Sequence, residues 1–355
     1  MGNHSTKEDA IDIRRLNPVV LEANDLEIGY SPSKHRSLII ASDLNLNLNK
    51  GELVCLVGPN GVGKSTLLRS LAGLQPHLKG EVCLNGLSLQ KLSSRELAKA
   101  ISIVLTETVN VGVMQAFSVV ALGRHPYTNW LGTLTEEDEQ IVMASLRSVD
   151  AEDLTQHYFH ELSDGERQKI MIARALAQEP SILMLDEPTA FLDLPRRVII
   201  MQVLRNLAHN MGKVVLVSTH DLDLALKSAD VIWLMSQGGK LNVGAPEDLV
   251  LNGAFEKAFS QQGVSFDSNS GNFEVAPHPI AKIGLEGKDI QRKWTARALE
   301  RAGFEVLPFS DYPDYSVEVI HLGEKIGWKF YNGGESSDYE SIYALIKGIK
   351  SQPLP

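Results

Sequence analysis

Residues Gly58 to Thr66 read GPNGVGKST, three glycines, a lysine and two adjacent hydroxyls in nine positions. Gly58, Gly61 and Gly63 let the backbone curl until its N–H groups converge, and a helix starting beside them adds its own unpaired amides. That cradle suits phosphate oxygens, and Pro59, Asn60 and Thr66 belong to the same loop. Lys64 supplies a point charge for the β- and γ-phosphates of a nucleoside triphosphate, and Ser65 a hydroxyl for its Mg2+. The loop needs a strand before it and a helix after it. ELVCLV is a short apolar run of strand character, and TLLRSLAGL repeats its apolar residues at helical spacing.

A second group of reactive residues begins at Ile182, where ILML runs into Asp186 and Glu187. A buried strand that delivers two acids at its C-terminal end suits metal-assisted phosphoryl transfer. Asp186 can help hold Mg2+, and Glu187 can orient or deprotonate an attacking water. Pro188 then ends the strand. Between the two groups lies LSDGERQ, which places Ser163 at a helix start whose free amides form another anion site.

With the loop, LSDGE and ILMLDEP in this order, the chain resembles the nucleotide-binding subunit of an ABC transporter. The resemblance implies an α/β fold of the P-loop NTPase type carrying a helical subdomain. It further implies ATP and Mg2+ as ligands and a second copy of the chain arranged head to tail. In that arrangement Ser163, Gly165 and Glu166 serve the ATP of the opposite protomer. His220, in VVLVSTHD, corresponds to the histidine that senses the γ-phosphate, and Asp193, in AFLD, to the loop that couples the two ATP sites. Tyr30, in LEIGY, matches the aromatic on which adenine stacks.

Two positions depart from the family pattern. Glu107, in ISIVLTET, stands where the family has a glutamine that touches Mg2+; a carboxylate can ligate the ion but adds negative charge. Asp164 replaces the usual third-position glycine of the signature and would repel a γ-phosphate unless it points away.

The segment from 117 to 142, with its ALGRHPY stretch, resembles the ATPases of importers for iron-siderophores, haem and cobalamin. That resemblance implies membrane permease subunits as partners and, through them, an extracytoplasmic binding protein. It also implies a place at the cytoplasmic face of the cell membrane. Arg124, Tyr127 and Trp130 then read as a dock for a coupling helix. A soluble ABC-type regulatory ATPase, an ATP-gated clamp, is the alternative. The single set of motifs disfavours it, because tandem soluble members carry two.

Composition agrees with a protein that reaches the membrane only through partners. No apolar stretch approaches the roughly 18 residues that a spanning helix needs, and a formal net charge of −10 argues against nucleic-acid binding. Cys55 and Cys83 sit in apolar strands outside any paired metal-ligand pattern, as core thiols of a reducing compartment. Residues 1–17 are polar and read as a flexible N-terminus. Residues 18–276 form the ATPase domain, with the helical subdomain at about 92–175. Ser93 with Glu96, and Thr135 with Asp138, are capping boxes within it. From 277 the composition shifts: ten of the 22 aromatic residues lie there, enough for a core of its own. Residues 277–355 are therefore a small accessory α+β domain, of a βαββα-like order ending in a helix over DYESIYALIKGI.

Overall fold

The computed structural model describes residues 19–33, 36–106, 111–129, 132–259, 264–267, 272–275, 279–312, 315–322 and 325–352. Residues 1–17, Glu107 and Trp130, each given a reading above, lie outside the described residues. The chain divides into two compact units, 1–260 with 266–272, and 261–265 with 273–355.

The first unit opens with β1 (Val19–Ser33) and β2 (Arg36–Asn49), then β3 (Leu53–Val57), α1 (Lys64–Leu71), β4 (Lys79–Leu84) and β5 (Leu87–Ser88). It continues through α2 (Ser94–Ala100), β6 (Ile101–Val104), α3 (Ala116–Ala121), α4 (Glu136–Arg147) and α5 (Asp164–Leu176). β7 (Ile182–Asp186), α6 (Leu194–His209), β8 (Val214–Ser218), α7 (Leu222–Ser228) and β9 (Val231–Met235) follow. After β10 (Leu241–Gly244) come α8 (Pro246–Leu251) and α9 (Ala254–Phe259); the short strands β11 (Val264–Asp267) and β12 (Asn272–Val275) fall where the division between the units runs.

Strands β3, β7 and β8 are buried at every residue, as continuous aliphatic runs must be when helices cover both faces of a parallel sheet. They lie in a six-stranded sheet of order β10-β9-β3-β8-β7-β6. Its strands run parallel, except that β10 returns antiparallel to β9 as the second arm of the SQGGK hairpin. The P-loop, the two acids and His220 all follow C-terminal ends of neighbouring strands in this sheet. That edge is where ligands bind in open α/β folds. A separate antiparallel sheet, β2-β1-β4-β5, packs its apolar side into the same core as α1.

Helices α3, α4 and α5 pack on one another. Both predicted capping boxes form, Ser93 with Glu96 at α2 and Thr135 with Asp138 at α4. The span read as helical is interrupted by β6, whose ISIV run is rich in β-branched residues and pairs with β7.

The second unit holds β13 (Ala281–Glu286), α10 (Asp289–Arg301), β14 (Phe304–Pro308), β15 (Tyr315–Leu322), β16 (Lys325–Asn332), β17 (Glu335–Tyr339) and α11 (Ile342–Lys350). Its sheet runs β14-β13-β15-β16-β17. Tyr315, Phe304 and Phe330 fill its core, and the Trp328 indole donates to the Thr295 hydroxyl at 2.8 Å. The observed order, βαββββα, carries two more strands than βαββα. Gly333 and Gly334, at φ 59° and 97°, turn the chain so that ESSDY pairs with β16 before α11 begins.

Candidate active site

The loop after β3 shows why glycine is needed. Gly58 has φ 155°, and a Cβ there would stand 2.2 Å from the Met235 carbonyl oxygen. Gly63, at φ 113°, would meet Ile40 Cγ2 at 2.3 Å. Gly61 differs from these two: nothing lies within 4 Å of where its Cβ would stand, so only its left-handed backbone, φ 76°, calls for glycine. Close packing against Met235 and Ile40 and positive φ angles thus hold the loop in its curl, directly before the first turn of α1. Lys64 is buried and folds back over the loop, its Nζ donating to the carbonyl oxygens of Gly58 at 2.8 Å and Pro59 at 3.2 Å. Burial pushes its ammonium pKa down, against an opposing pull from Glu187 and Asp186. An anion arriving in the loop would offer the ammonium a stronger partner than two carbonyls.

Asp186 ends β7 and is 5% exposed. Ser65 Oγ donates to its Oδ1 at 3.1 Å, and Ser218 Oγ, from the end of β8, to the same oxygen at 2.5 Å. Thr106 Oγ1 donates to its backbone carbonyl at 2.7 Å. A buried carboxylate surrounded by hydroxyls is an oxygen-rich donor set of the kind a hard divalent cation takes. Ser65 and Asp186, both read from the sequence as Mg2+ ligands, thus stand within hydrogen-bond distance of each other. The third expected ligand, Glu107, is outside the described residues.

Glu187 leaves the strand in the left-handed region, φ 49°. Its N–H is held by both the carbonyl and the hydroxyl of Ser218, at 3.1 and 3.0 Å. This aims the carboxylate toward His220, whose Nδ1 lies 3.6 Å from Glu187 Oε2. Tyr30 meets the loop through a 3.1 Å hydrogen bond between its hydroxyl and Thr66 Oγ1, its ring half-exposed.

At the start of α5, the Glu166 carboxylate accepts from both Ser163 N (2.8 Å) and Ser163 Oγ (2.6 Å). The Ser163 hydroxyl and then its amide hold the Glu166 carboxyl below its usual pKa. Gly165 is covered by Arg196, 3.0 Å from where a Cβ would be. Asp193 caps α6 by accepting from Arg196 N at 3.0 Å. Asp164 is exposed and lies 3.4 Å from Arg167 Nη1, an i,i+3 pair on its own helix. A cavity of about 470 Å3 is lined by Asp164 and Arg167 from α5 and by Asp186, Glu187 and Phe191.

Sequence reasoning passed over two residues. Ser218, which bridges both acids, was legible only as a polar residue closing an aliphatic strand. Arg197 joins two loops: its Nε donates to the Leu192 carbonyl at 2.7 Å, and its Nη1 to Asp221 Oδ2 at 3.3 Å. It thereby links the residue before Asp193 to the residue after His220.

One reading is corrected. Arg124 is not an exposed anchor for a partner helix, being 3% exposed. Its guanidinium binds Asp138 Oδ1 at 2.7 Å, the Ala177 carbonyl at 2.8 Å and Glu179 Oε2 at 2.8 Å. Tyr127 stacks on it at 3.9 Å and donates to the Gln178 carbonyl. The pair fastens the ends of α4 and α5, because a guanidinium taken out of water needs every one of those acceptors.

Residues 41–190 match the ABC transporter family model, and residues 281–350 match a second model, the iron ABC transporter C-terminal domain. An uncharacterized ABC transporter ATP-binding protein of Methanocaldococcus jannaschii is 42% identical over 74% of this chain and 88% of its own length. The chain belongs to the ATP-binding subunits of ABC transporters. As such it is an ATP hydrolase whose turnover is coupled to transport. The achromobactin transport ATP-binding protein of Dickeya dadantii is 36% identical, covering 65% of this chain and 84% of that one. Among solved structures, the dimeric MJ0796 bacterial ABC transporter cassette aligns over 64% of this chain and 98% of its own, at 28% identity and a TM-score of 0.55. Among the described residues, no helix is long and apolar enough to cross a membrane.

Proposed function

We propose that this ABC subunit powers uptake of an iron-siderophore, haem or cobalamin through a membrane permease at the cytoplasmic face of the cell membrane. An extracytoplasmic binding protein would deliver the cargo. The observation that carries the cargo class is the match of residues 281–350 to the iron ABC transporter C-terminal domain. Relatives named for achromobactin transport and cobalamin import support it.

The ATP phosphates lie in the Gly58–Thr66 loop, with Lys64 turning from the loop carbonyls to the β- and γ-oxygens and Tyr30 beside the adenine. Ser65 and Asp186 are the residues that would hold Mg2+, with Glu107 as a further candidate. The ion would neutralise charge on the phosphates. Glu187, its backbone pinned by Ser218, orients the attacking water and takes its proton, and His220 supports the γ-phosphate. Two copies, head to tail, place Ser163, Gly165 and Glu166 of one against the ATP of the other, with Asp193 between the sites. Closure on ATP and reopening after hydrolysis would move the permease between its access states.

The test is steady-state MgATP hydrolysis over a range of protein concentrations, followed by the same assay with the candidate permease in vesicles and labelled cargo. Activity that rises cooperatively with concentration, disappears in Glu187→Gln and drives cargo entry is expected. Nucleotide binding with no turnover, with or without the permease, would replace the transporter by a regulatory clamp.

A further inference from the structure

The second unit contains none of the residues assigned above to ATP turnover, yet it carries a distinctive surface. Its two helices, α10 and α11, pack beside each other, and each buries one face in the unit's core through Thr295, Ala298 and Leu299, and through Leu345 and Ile349. Their outward faces share one pattern. Along α10 it runs Ile290, Trp294, Arg297, Arg301; along α11, Tyr343, Lys347, Lys350. Offsets of four, seven and eleven keep each set on a single face.

Large apolar groups stand exposed among these cations: Ile290 is 63% exposed, Trp294 54% and Tyr343 78%. The Arg297 guanidinium lies 5.2 Å from the Trp294 ring centre. With Arg292 and Lys293, the two helices hold six cationic side chains against two carboxylates, Asp289 and Glu300, in a chain of net charge −10. None of the six makes an ion pair among the described residues. The strands and connections of the same unit, between 281 and 350, carry nine acids and only four bases. The unit is therefore polarised, with a net positive charge on its helices and a net negative charge on its strands and connections.

We propose that the outer face of α10 and α11 docks on an anionic phospholipid surface. Trp, Tyr and Ile among Lys and Arg on an amphipathic helix are the residue types that settle at the headgroup boundary. Cations near an anionic leaflet add attraction without any specific pocket. The residues spread over two adjacent helices, which suits a membrane better than a single acidic peptide. Such docking would hold the subunit at the bilayer independently of a permease.

The full chain alone is floated with vesicles of phosphatidylcholine and with vesicles of phosphatidylcholine mixed with phosphatidylglycerol. It is expected to bind the mixed vesicles and to leave them at high salt. Each cation contributes about five-fold to partitioning, so Arg297→Gln with Lys347→Gln should lower it about 25-fold, with circular dichroism and ATP hydrolysis unchanged. Quenching of tryptophan fluorescence by brominated lipid should fall in Trp294→Tyr. Equal binding to neutral and anionic vesicles would overturn the proposal. So would full binding by the double variant, or capture by polyglutamate without vesicle binding, which would assign the face to an acidic protein.

Discussion

Arg124 and Asp138 are the pair whose removal the structure predicts most sharply. Both are buried, and the guanidinium also holds the Ala177 carbonyl and Glu179 at the far end of α5. Asp138→Asn preserves shape and can still accept from the Thr135 amide, but it leaves the guanidinium with only the half-exposed Glu179 as counter-charge. Breaking a buried pair from one side costs about 3–5 kcal/mol, and the solvated Glu179 places this case near the lower end. Arg124→Met should cost a similar amount, since it strands Asp138 and the Ala177 carbonyl. Because each single change removes the same contact, the double variant should cost about 2 kcal/mol less than the sum. Native-state hydrogen exchange of α4 and α5 amides is the suitable assay, because it reads local opening in a chain of two units where one global unfolding energy is ill defined. The Thr135 amide, followed by Arg124, holds the Asp138 carboxyl below its usual pKa against the effect of burial. Its stabilisation is therefore present above the ordinary aspartate range and lost as pH falls through the depressed value. Protection of α4 should drop on acidification in the wild type and stay flat in Asp138→Asn. Strictly additive single changes, or losses under about 0.5 kcal/mol, would refute the fastening role.

Ser218→Ala removes a hydroxyl from Asp186 while the Ser218 carbonyl still holds Glu187, and MgATP hydrolysis should fall about 10–100-fold with the fold intact. Arg197→Gln should lower kcat with little change in KM, and Arg197→Lys should recover part of it; a pure KM effect would remove Arg197 from any positioning role. Burial, and then Asp230, pushes the Cys55 thiol up to about 12, so it should resist alkylation at pH 8 until the chain is denatured, as mass spectrometry would show.

The P-loop, its flanking strand and helix, both capping boxes and the acids at the end of β7 were legible because each is written in contiguous residues whose chemistry is local. What escaped is written across the chain. Arg124 meets Glu179 at a separation of 55 residues, and Ser218 meets Asp186 at 32. Neither end of such a contact announces its partner, so an arginine in a turn read as surface. β17 escaped for a different reason. ESSDY is polar and almost wholly exposed, so it carries no apolar alternation, and only the edge of β16 makes it a strand.

The left-handed backbone at Glu187 sets chemistry against folding at a single residue. A side chain held there costs on the order of 1 kcal/mol that glycine would not incur. Replacement by glycine should therefore abolish turnover and leave the protein slightly harder to unfold. A duplicated copy no longer selected for hydrolysis would gain stability by losing this residue, while the intact loop went on binding nucleotide. Within a lineage, glycine at this position would mark a copy that has given up hydrolysis.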